Sequence, residues 1–88
     1  MIDYDPKKRE WNLRERHLDF KDAERMFDGR PVIHVPSLRN DEDRFVSTAL
    51  IDRKFYTVVW MWRNQKQRII SFRRARDAEE RAYRKAHG

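Results

Sequence analysis

Residues 44–62 read RFVSTALIDRKFYTVVWMW. Two runs in this segment, Arg44–Ile51 and Phe55–Trp62, are rich in the β-branched and aromatic residues that favour strands. The residues between them, Asp52–Lys54, are few enough for a hairpin connection, although they lack the Gly or Asn of the commonest turns. Apolar residues fall on both faces of Phe55–Trp62, which predicts a central strand that is covered on at least one side.

Further strands are predicted on both sides of this hairpin. Val32–Val35 is a short apolar run before it, and Arg68–Arg73 follows it after a loop at Arg63–Lys66. Ile2–Tyr4 is short and could form an edge strand. Together these segments predict three or four antiparallel strands in a meander.

Two short helices are predicted before the strands. Asp5 followed by Pro6 is typical of a helix N-cap and first turn, and the helix should run to about His17. Asp19 is a second N-cap candidate, because apolar residues recur at helical spacing over Phe20–Phe27.

A third helix is predicted at the end of the chain. Asp77 is its predicted N-cap, and the side chain of Glu80, three residues later, is expected to accept a hydrogen bond from the backbone N–H of Asp77. The predicted fold class is therefore α+β, with two short N-terminal helices, a three- to four-stranded antiparallel sheet and a C-terminal helix. The length of 88 residues predicts a single domain over residues 1–88.

The positive charge of the chain is concentrated in one segment. The net charge is +6, and residues 63–76 contain six basic side chains and no acidic one, whereas the other residues are balanced. The six are Arg63, Lys66, Arg68, Arg73, Arg74 and Arg76. Such a segment indicates a polyanionic partner, either nucleic acid or an acidic protein. The alternative is a solvated basic face that has no partner.

Several classes of protein are excluded by composition. The chain has no cysteine, which rules out disulfides and thiolate metal sites. His17, His34 and His87 are isolated from carboxylates at metal-ligand spacing, and the two glycines cannot form a phosphate-binding loop. We therefore expect neither a metal nor another cofactor. With no signal-peptide pattern and no long apolar run, we expect a cytoplasmic protein that makes no membrane contact.

The remaining residues suit metal-free RNA cleavage, in which the RNA 2′-hydroxyl attacks the adjacent phosphate. Arginine matches phosphate oxygens and stabilises the charge that develops on them. Strand alternation predicts that Arg68 and Arg73 lie on opposite faces of their strand. Trp60 and Trp62 share a face, where core packing is favoured over stacking on bases.

Two side chains are candidates for proton transfer. His17 is a candidate because histidine is the residue type most often used for proton transfer near neutral pH, although a role at the C-terminus of the first predicted helix is favoured. Glu42 is the best-placed carboxylate, two residues before Arg44. The alternative for Glu42 is an ion pair with Arg39 or Arg44.

The order of these motifs resembles the BrnT family of type II toxins, within the wider RelE-like group. Four blocks carry the resemblance: Asp5–Asn12 with Arg16-His17, Phe20, Ala23 and Phe27-Asp28; Arg39, Glu42 and Arg44-Phe45; Tyr56–Trp60; and Arg68–Ala75 with Glu80-Arg81 and Tyr83. The chain departs from the family pattern at Leu18 and Phe72, where the family has Gly and Ala, and at Arg76, where it has Ser or Thr.

The resemblance implies a RelE-like fold and a metal-independent endoribonuclease that inhibits translation. It also implies a BrnA-like antitoxin, whose complex with the toxin would bind operator DNA. The arginine blocks and the resemblance together motivate the site assignment. Catalytic candidates are Arg44, Arg68, Arg73, Glu42 and His17, and RNA-binding candidates are Arg39, Arg63, Lys66 and Arg74. The alternative hypothesis is a non-catalytic basic module that binds nucleic acid or an acidic protein.

Overall fold

The computed structural model describes the backbone of residues 1–39 and 42–88, and the side chains of these residues except 38, 39 and 42. Within these ranges the chain forms five strands, two α-helices and one 3₁₀ helix. The strands are β1 (Ile2–Tyr4), β2 (Val32–Arg39), β3 (Glu42–Ile51), β4 (Lys54–Arg63) and β5 (Lys66–Arg74). The helices are α1 (Pro6–Arg16), the 3₁₀ helix (Phe20–Phe27) and α2 (Asp77–His87).

The strands form one mixed sheet in the order β1-β5-β4-β3-β2. β2 to β5 make the predicted antiparallel meander, and β4 is central as predicted. β1 pairs parallel to β5, with Asp3 opposite Arg68. The prediction of three or four antiparallel strands is therefore wrong in number and in pairing. This pairing joins residues more than sixty positions apart, so no local pattern reveals it.

β2 is twice as long as predicted, because it continues through Pro36 to Arg39. β2 lies at the edge of the sheet, where it has one neighbour. Proline lacks a backbone N–H, and an edge strand tolerates that loss because half of its N–H groups need no partner strand.

The first two helices begin at the predicted caps. The Asp5 side chain accepts a 2.8 Å hydrogen bond from the Lys7 N–H, and the Asp19 side chain accepts one of 3.0 Å from the Lys21 N–H. The segment after Asp19 is wound as a 3₁₀ helix, which has tighter i to i+3 hydrogen bonding than the predicted α-helix.

The N-cap of the last helix lies one residue before the predicted Asp77. Its N-cap is Arg76, and the Glu79 side chain, not that of Glu80, accepts from the Arg76 N–H at 2.8 Å. Glu79 also binds Arg73 on β5. This tertiary contact explains why Glu79, and not Glu80, caps the start of the helix. Neither α1 nor α2, each of 11 residues, is long and apolar enough to cross a membrane.

The 3₁₀ helix covers one face of the sheet and forms the core with it. The buried apolar residues are Phe20, Ala23, Met26, Ala49, Ile51, Val58, Trp60, Ile69 and Phe72. Phe27, at the end of the helix, meets the Trp60 ring edge-on at 5.0 Å. Burial of such apolar side chains is the main favourable contribution to folding.

Beyond the end of β1, the edge of β5 is hydrogen-bonded by the side chain of Asn12 from α1. Its side chain is buried, with Nδ2 donating to the Phe72 carbonyl at 2.8 Å and Oδ1 accepting from the Phe72 N–H at 3.3 Å. Nδ2 also donates to the Leu18 carbonyl at 2.9 Å. One amide side chain thus satisfies backbone groups that a neighbouring strand would otherwise bind.

Candidate functional site

A β-bulge in β5 determines which side chains share a face of the sheet. Val59 pairs with Ser71, but the next residue of β4, Trp60, pairs with Ile69, so Ile70 is an extra residue in β5. An extra residue reverses the alternation of side chains along a strand. Ile69 and Phe72 are accordingly both buried in the core, although they are three positions apart.

The bulge brings Arg68 and Arg73 to the same face of the sheet. Arg68 pairs with Met61 and Arg73 with Thr57, and these two partners lie four residues apart on β4. The prediction that the two arginines lie on opposite faces is therefore wrong. That prediction assumed regular alternation, and the bulge breaks it between the two residues.

Arg44 lies on the same face as these two arginines. Its neighbour Phe45 pairs with Trp60 and stacks on it at 4.8 Å, on the core face. Alternation therefore places Arg44 on the other face, beside Met61. With strands about 4.8 Å apart, the Cα atoms of Arg44 and Arg68 are separated by about 10 Å.

Two more cations extend this surface at the β4–β5 turn. Arg63 pairs with Lys66 there, and both side chains are exposed. Alternation from Met61 and Arg68 places both on the face opposite the core. We call this surface the arginine face, and its members are Arg44, Arg63, Lys66, Arg68 and Arg73. α2 covers the other end of the same side of the sheet, where Tyr83 packs edge-on against Phe55.

Arg73 is held firmly at the border between the arginine face and α2. It makes two hydrogen bonds to Glu79, of 2.7 and 2.9 Å, and both side chains are mostly buried. Glu79 also accepts from Thr57 at 3.0 Å. These contacts, led by the Arg73 hydrogen bonds, lower the pKa of Glu79 to about 2, so this carboxylate is ionised at neutral pH.

Arg68 is held more loosely. Its Nη1 donates to Asp3 at 2.8 Å, which is one described hydrogen bond for a group with five N–H donors. The bond to Arg68 lowers the pKa of Asp3. Arg68 therefore keeps donors with which to bind a phosphate, whereas most of the polar edge of Arg73 faces Glu79.

The other predicted basic residue of β5 points elsewhere. Arg74 pairs with Tyr56, and its guanidinium lies over the Tyr56 ring at 5.3 Å. Its Nε also donates to the Phe55 carbonyl at 3.3 Å. The structure thus places Arg74 on the core side of the sheet, apart from the arginine face.

His17 is the C-cap of α1. It has a left-handed backbone with φ of 58°, and its N–H donates to the Leu13 carbonyl at 3.0 Å. Among the residues that the structure describes, no hydrogen bond or ion pair joins His17 to the arginine face. The side chains of the other two candidates, Arg39 and Glu42, lie outside the described residues.

Two residues that lie on or opposite the arginine face were not among the predicted site residues. Ser71 lies between Arg68 and Arg73 on the arginine face, because it pairs with Val59. His34 lies on the opposite side, with its Nδ1 2.6 Å from the Ser47 Oγ, and burial lowers the pKa of this histidine. Only the strand register places either residue, and the register is not visible in the sequence. In the described part of the chain, no group of three or more His, Asp or Glu residues could hold a metal ion.

Fold and charge together define a small basic α+β protein with a sheet face suited to binding phosphate groups. The chain belongs to the family of BrnT ribonuclease toxins of type II toxin–antitoxin systems, whose model matches residues 4–79. The match includes Arg44, Arg68 and Arg73 and ends in the first turn of α2. Membership implies an RNA substrate and an antitoxin protein partner. A comparison with curated proteins finds no match.

Proposed function

We propose that this chain is an endoribonuclease toxin that cleaves RNA without a metal ion and thereby inhibits translation. The observation that carries the proposal is the bulge-dependent grouping of Arg44, Arg68 and Arg73 on one face. In this reaction the 2′-hydroxyl of RNA attacks the neighbouring phosphorus atom, and the bond to the 5′-oxygen of the next nucleotide breaks. The products are a 2′,3′-cyclic phosphate and a free 5′-hydroxyl.

Arg44 and Arg68 are proposed to hold the scissile phosphate between them. Their Cα atoms are separated by about 10 Å, and two arginine side chains that converge from such positions can both reach one phosphate. Their charge would stabilise the pentavalent transition state, whose equatorial oxygens carry more negative charge than the substrate. Arg73 would contribute charge at the border, and Arg63 and Lys66 would attract the RNA strand.

Two proton transfers complete the reaction. The reaction needs one group to accept the 2′-hydroxyl proton and one to donate a proton to the leaving oxygen. We propose Glu42 and His17 for these roles from their residue types and positions in the sequence. Arg39 is likewise proposed as an RNA-binding residue from its residue type and its position in the sequence. Arg74 would act at most at the rim, given its contact with Tyr56.

We further propose that residues 1–88 act as one cytoplasmic BrnT-like domain with a BrnA-like antitoxin as partner. An acidic surface of such an antitoxin would complement the arginine face and exclude RNA from it. The complex would reach operator DNA through the DNA-binding domain of the antitoxin.

The proposal is tested by incubating the purified protein with end-labelled single-stranded RNA in EDTA. We expect cleavage with 2′,3′-cyclic phosphate or 3′-phosphate ends. A matched RNA with a 2′-deoxy sugar at the cleaved position should stay intact, because it lacks the nucleophile. Cleavage of that control, or products with 3′-hydroxyl ends, would contradict the proposed mechanism.

A second candidate function is favoured by a separate observation. Arg68 and Arg73 are both bound to carboxylates, and no described acid–base pair adjoins them. The chain could accordingly be a non-catalytic basic module. It would then bind RNA without cleaving it, with an affinity that falls steeply as salt rises.

A further inference from the structure

A cavity of about 350 Å³ lies on the core side of the sheet, at the end that the 3₁₀ helix does not cover. We call it the aromatic pocket, and it is lined by Phe27, His34, Phe45, Trp60, Trp62 and Gln67. Its volume falls in the range of about 300–1,000 Å³ that is usual for small-ligand sites. The pocket lies across the sheet from the arginine face and has no part in the proposed cleavage step.

The aromatic rings form two walls of the pocket. Phe45 and Trp60 stack at 26° with centroids 4.8 Å apart, and Trp62 stands at 80° to Trp60 at 5.3 Å. Trp60 is buried in the core, whereas the Trp62 side chain is 54% exposed. A flat ring that enters could therefore stack on one wall while its edge meets the other. Trp62 continues the aromatic surface of Phe45 and Trp60, and a contiguous apolar surface that is open to solvent is typical of a ligand-binding site.

Polar groups at the base of the pocket are fixed in one arrangement. Trp60 Nε1 donates to Ser47 Oγ at 2.8 Å, and Ser47 Oγ lies 2.6 Å from His34 Nδ1. The buried Ser47 hydroxyl needs an acceptor for its own hydrogen, and His34 Nδ1 is the one that the described contacts provide. The hydrogen of the neutral His34 ring then lies on Nε2, where it is available as a donor to a carbonyl oxygen.

Positive charge adjoins the open end of the pocket. Trp62 and Gln67 form a pair on β4 and β5, and the next pair along the same strands is Arg63 with Lys66. The β4–β5 turn thus presents two cations at the end of the sheet next to the exposed tryptophan, with their side chains projecting from the opposite face. Stacking rings beside cations are the arrangement with which proteins bind single-stranded nucleic acid. An apolar side chain of a protein partner would fit the rings, but single-stranded nucleic acid supplies a flat base for the rings and phosphates for the adjoining cations within one repeating unit.

We propose that the aromatic pocket binds one unpaired base of the RNA strand, stacked on Trp62, while Arg63 and Lys66 contact the flanking phosphates. This inference rests on the proposed function, because it names a second contact for the same substrate. The strand would cross the β4–β5 turn, with one nucleotide in the pocket and the scissile phosphate on the arginine face. The pocket would then select single-stranded RNA, because a base in a duplex is stacked and paired.

The test compares binding of two labelled ten-nucleotide strands with 2′-O-methyl sugars, which cannot be cleaved. One strand carries bases, and the other is abasic. The variants are Trp62→Ala and Trp11→Ala. Trp11 is a matched control because it is 47% exposed on α1, away from the pocket. Fluorescence anisotropy gives the dissociation constants, and cleavage of unmodified RNA is measured in parallel.

We expect wild-type protein and Trp11→Ala to bind the base-bearing strand more tightly than the abasic strand. Trp62→Ala should weaken binding of the base-bearing strand about tenfold, which corresponds to about 1.4 kcal/mol, and should leave the abasic strand unaffected. Equal affinities of Trp62→Ala and wild type for the base-bearing strand would overturn the inference. If wild-type protein cleaves RNA but does not distinguish the two strands, the inference fails while the proposed function stands. Loss of antitoxin affinity in Trp62→Ala, with RNA binding unchanged, would assign the pocket to a protein partner instead and would also overturn it.

Discussion

Arg68 and Arg73 project from the same face of β5 although they are five positions apart along the chain. In a regular strand an odd separation puts two side chains on opposite faces. The extra residue Ile70 reverses the alternation between them, and Arg44 on β3 completes the group. Bulges that redirect a side chain are common beside active sites, and here the bulge assembles the arginine face.

Arg68 is restrained by Asp3, and release of this restraint should strengthen RNA binding. Asp3→Asn removes the carboxylate that accepts from Arg68 at 2.8 Å. We expect RNA affinity to rise by about threefold in low salt, since one negative charge beside the phosphate site is lost. Glu10→Gln makes the same change of charge on the exposed part of α1 and should leave affinity near that of the wild type. Weaker binding by Asp3→Asn in filter-binding assays would show that Asp3 orients Arg68 and does not compete for it.

The Arg73–Glu79 ion pair should make the stability of the protein sensitive to acid. The pKa of Glu79 is about 2 in the folded protein, compared with an ordinary value of 4.5. The ion pair therefore contributes fully above pH 4.5, and its contribution is lost as the pH falls towards 2. Glu79→Gln should lower the free energy of unfolding at pH 7 by about 2 kcal/mol, and should reduce its dependence on pH between 4.5 and 2.

Some acid dependence should remain in Glu79→Gln, because arginine partners also lower the pKa values of Asp19 and Asp28 to about 2. Glu80→Gln is the matched control, since Glu80 forms an exposed pair with Arg84. This variant should keep the pH profile of the wild type. Urea unfolding measured from pH 2.5 to 7 gives both results, and a Glu79→Gln profile parallel to that of the wild type would refute the assignment.

Asn12 should be the most sensitive polar residue of the fold. Asn12→Ala removes both hydrogen bonds to the backbone of Phe72 and the one to Leu18. Because these backbone groups then lack a partner, we expect a loss of about 2–3 kcal/mol. The melting temperature should fall by about 10–15 °C. Glu10→Ala, on the exposed side of the same helix, should change stability by less than about 0.5 kcal/mol. A fall of under about 3 °C for Asn12→Ala would contradict this role.

The β3–β4 turn and the β4–β5 turn contain strain that glycine should relieve. Asp52 and Arg53 have φ of 51° and 70°, and Asn64 and Gln65 have φ of 52° and 64°. A side chain with a Cβ is disfavoured in this left-handed region. Arg53→Gly and Gln65→Gly should each stabilise the protein by about 0.5–1 kcal/mol and raise the melting temperature by about 3–6 °C. The alanine variants at both positions should bring no such gain, and equal gains from alanine and glycine would exclude strain as the cause.

The elements that are visible in the sequence are those that local chemistry determines. The caps Asp5 and Asp19, the hairpin from β3 to β4 and the central position of β4 were all predictable, because each depends on neighbouring residues. The parallel pairing of β1 was not, since it brings Asp3 to Arg68 across most of the chain. The shift from Glu80 to Glu79 at the start of α2 has the same origin, because Arg73 selects the carboxylate.

The basic residues of the site were predictable as a group, but their arrangement was not. The segment 63–76 stands out by charge alone. The faces of Arg68, Arg73 and Arg74 depend on the bulge at Ile70, for which the sequence has no glycine or other local marker. Trp60 is buried whereas Trp62 on the same face is exposed, and this difference depends on where the 3₁₀ helix ends, which is again a tertiary feature.

If the arginine face carries out RNA cleavage, the double variant Arg44→Ala/Arg68→Ala should lose it, and the most direct measurement is its single-turnover rate of cleavage in EDTA. Arg14→Ala/Arg81→Ala is the matched control, because it removes two exposed arginines from the helices and leaves the arginine face intact. We predict that the first double variant folds and loses at least about a hundredfold in rate, while the control stays within about twofold of the wild type. Equal rates for the two double variants would contradict the claim.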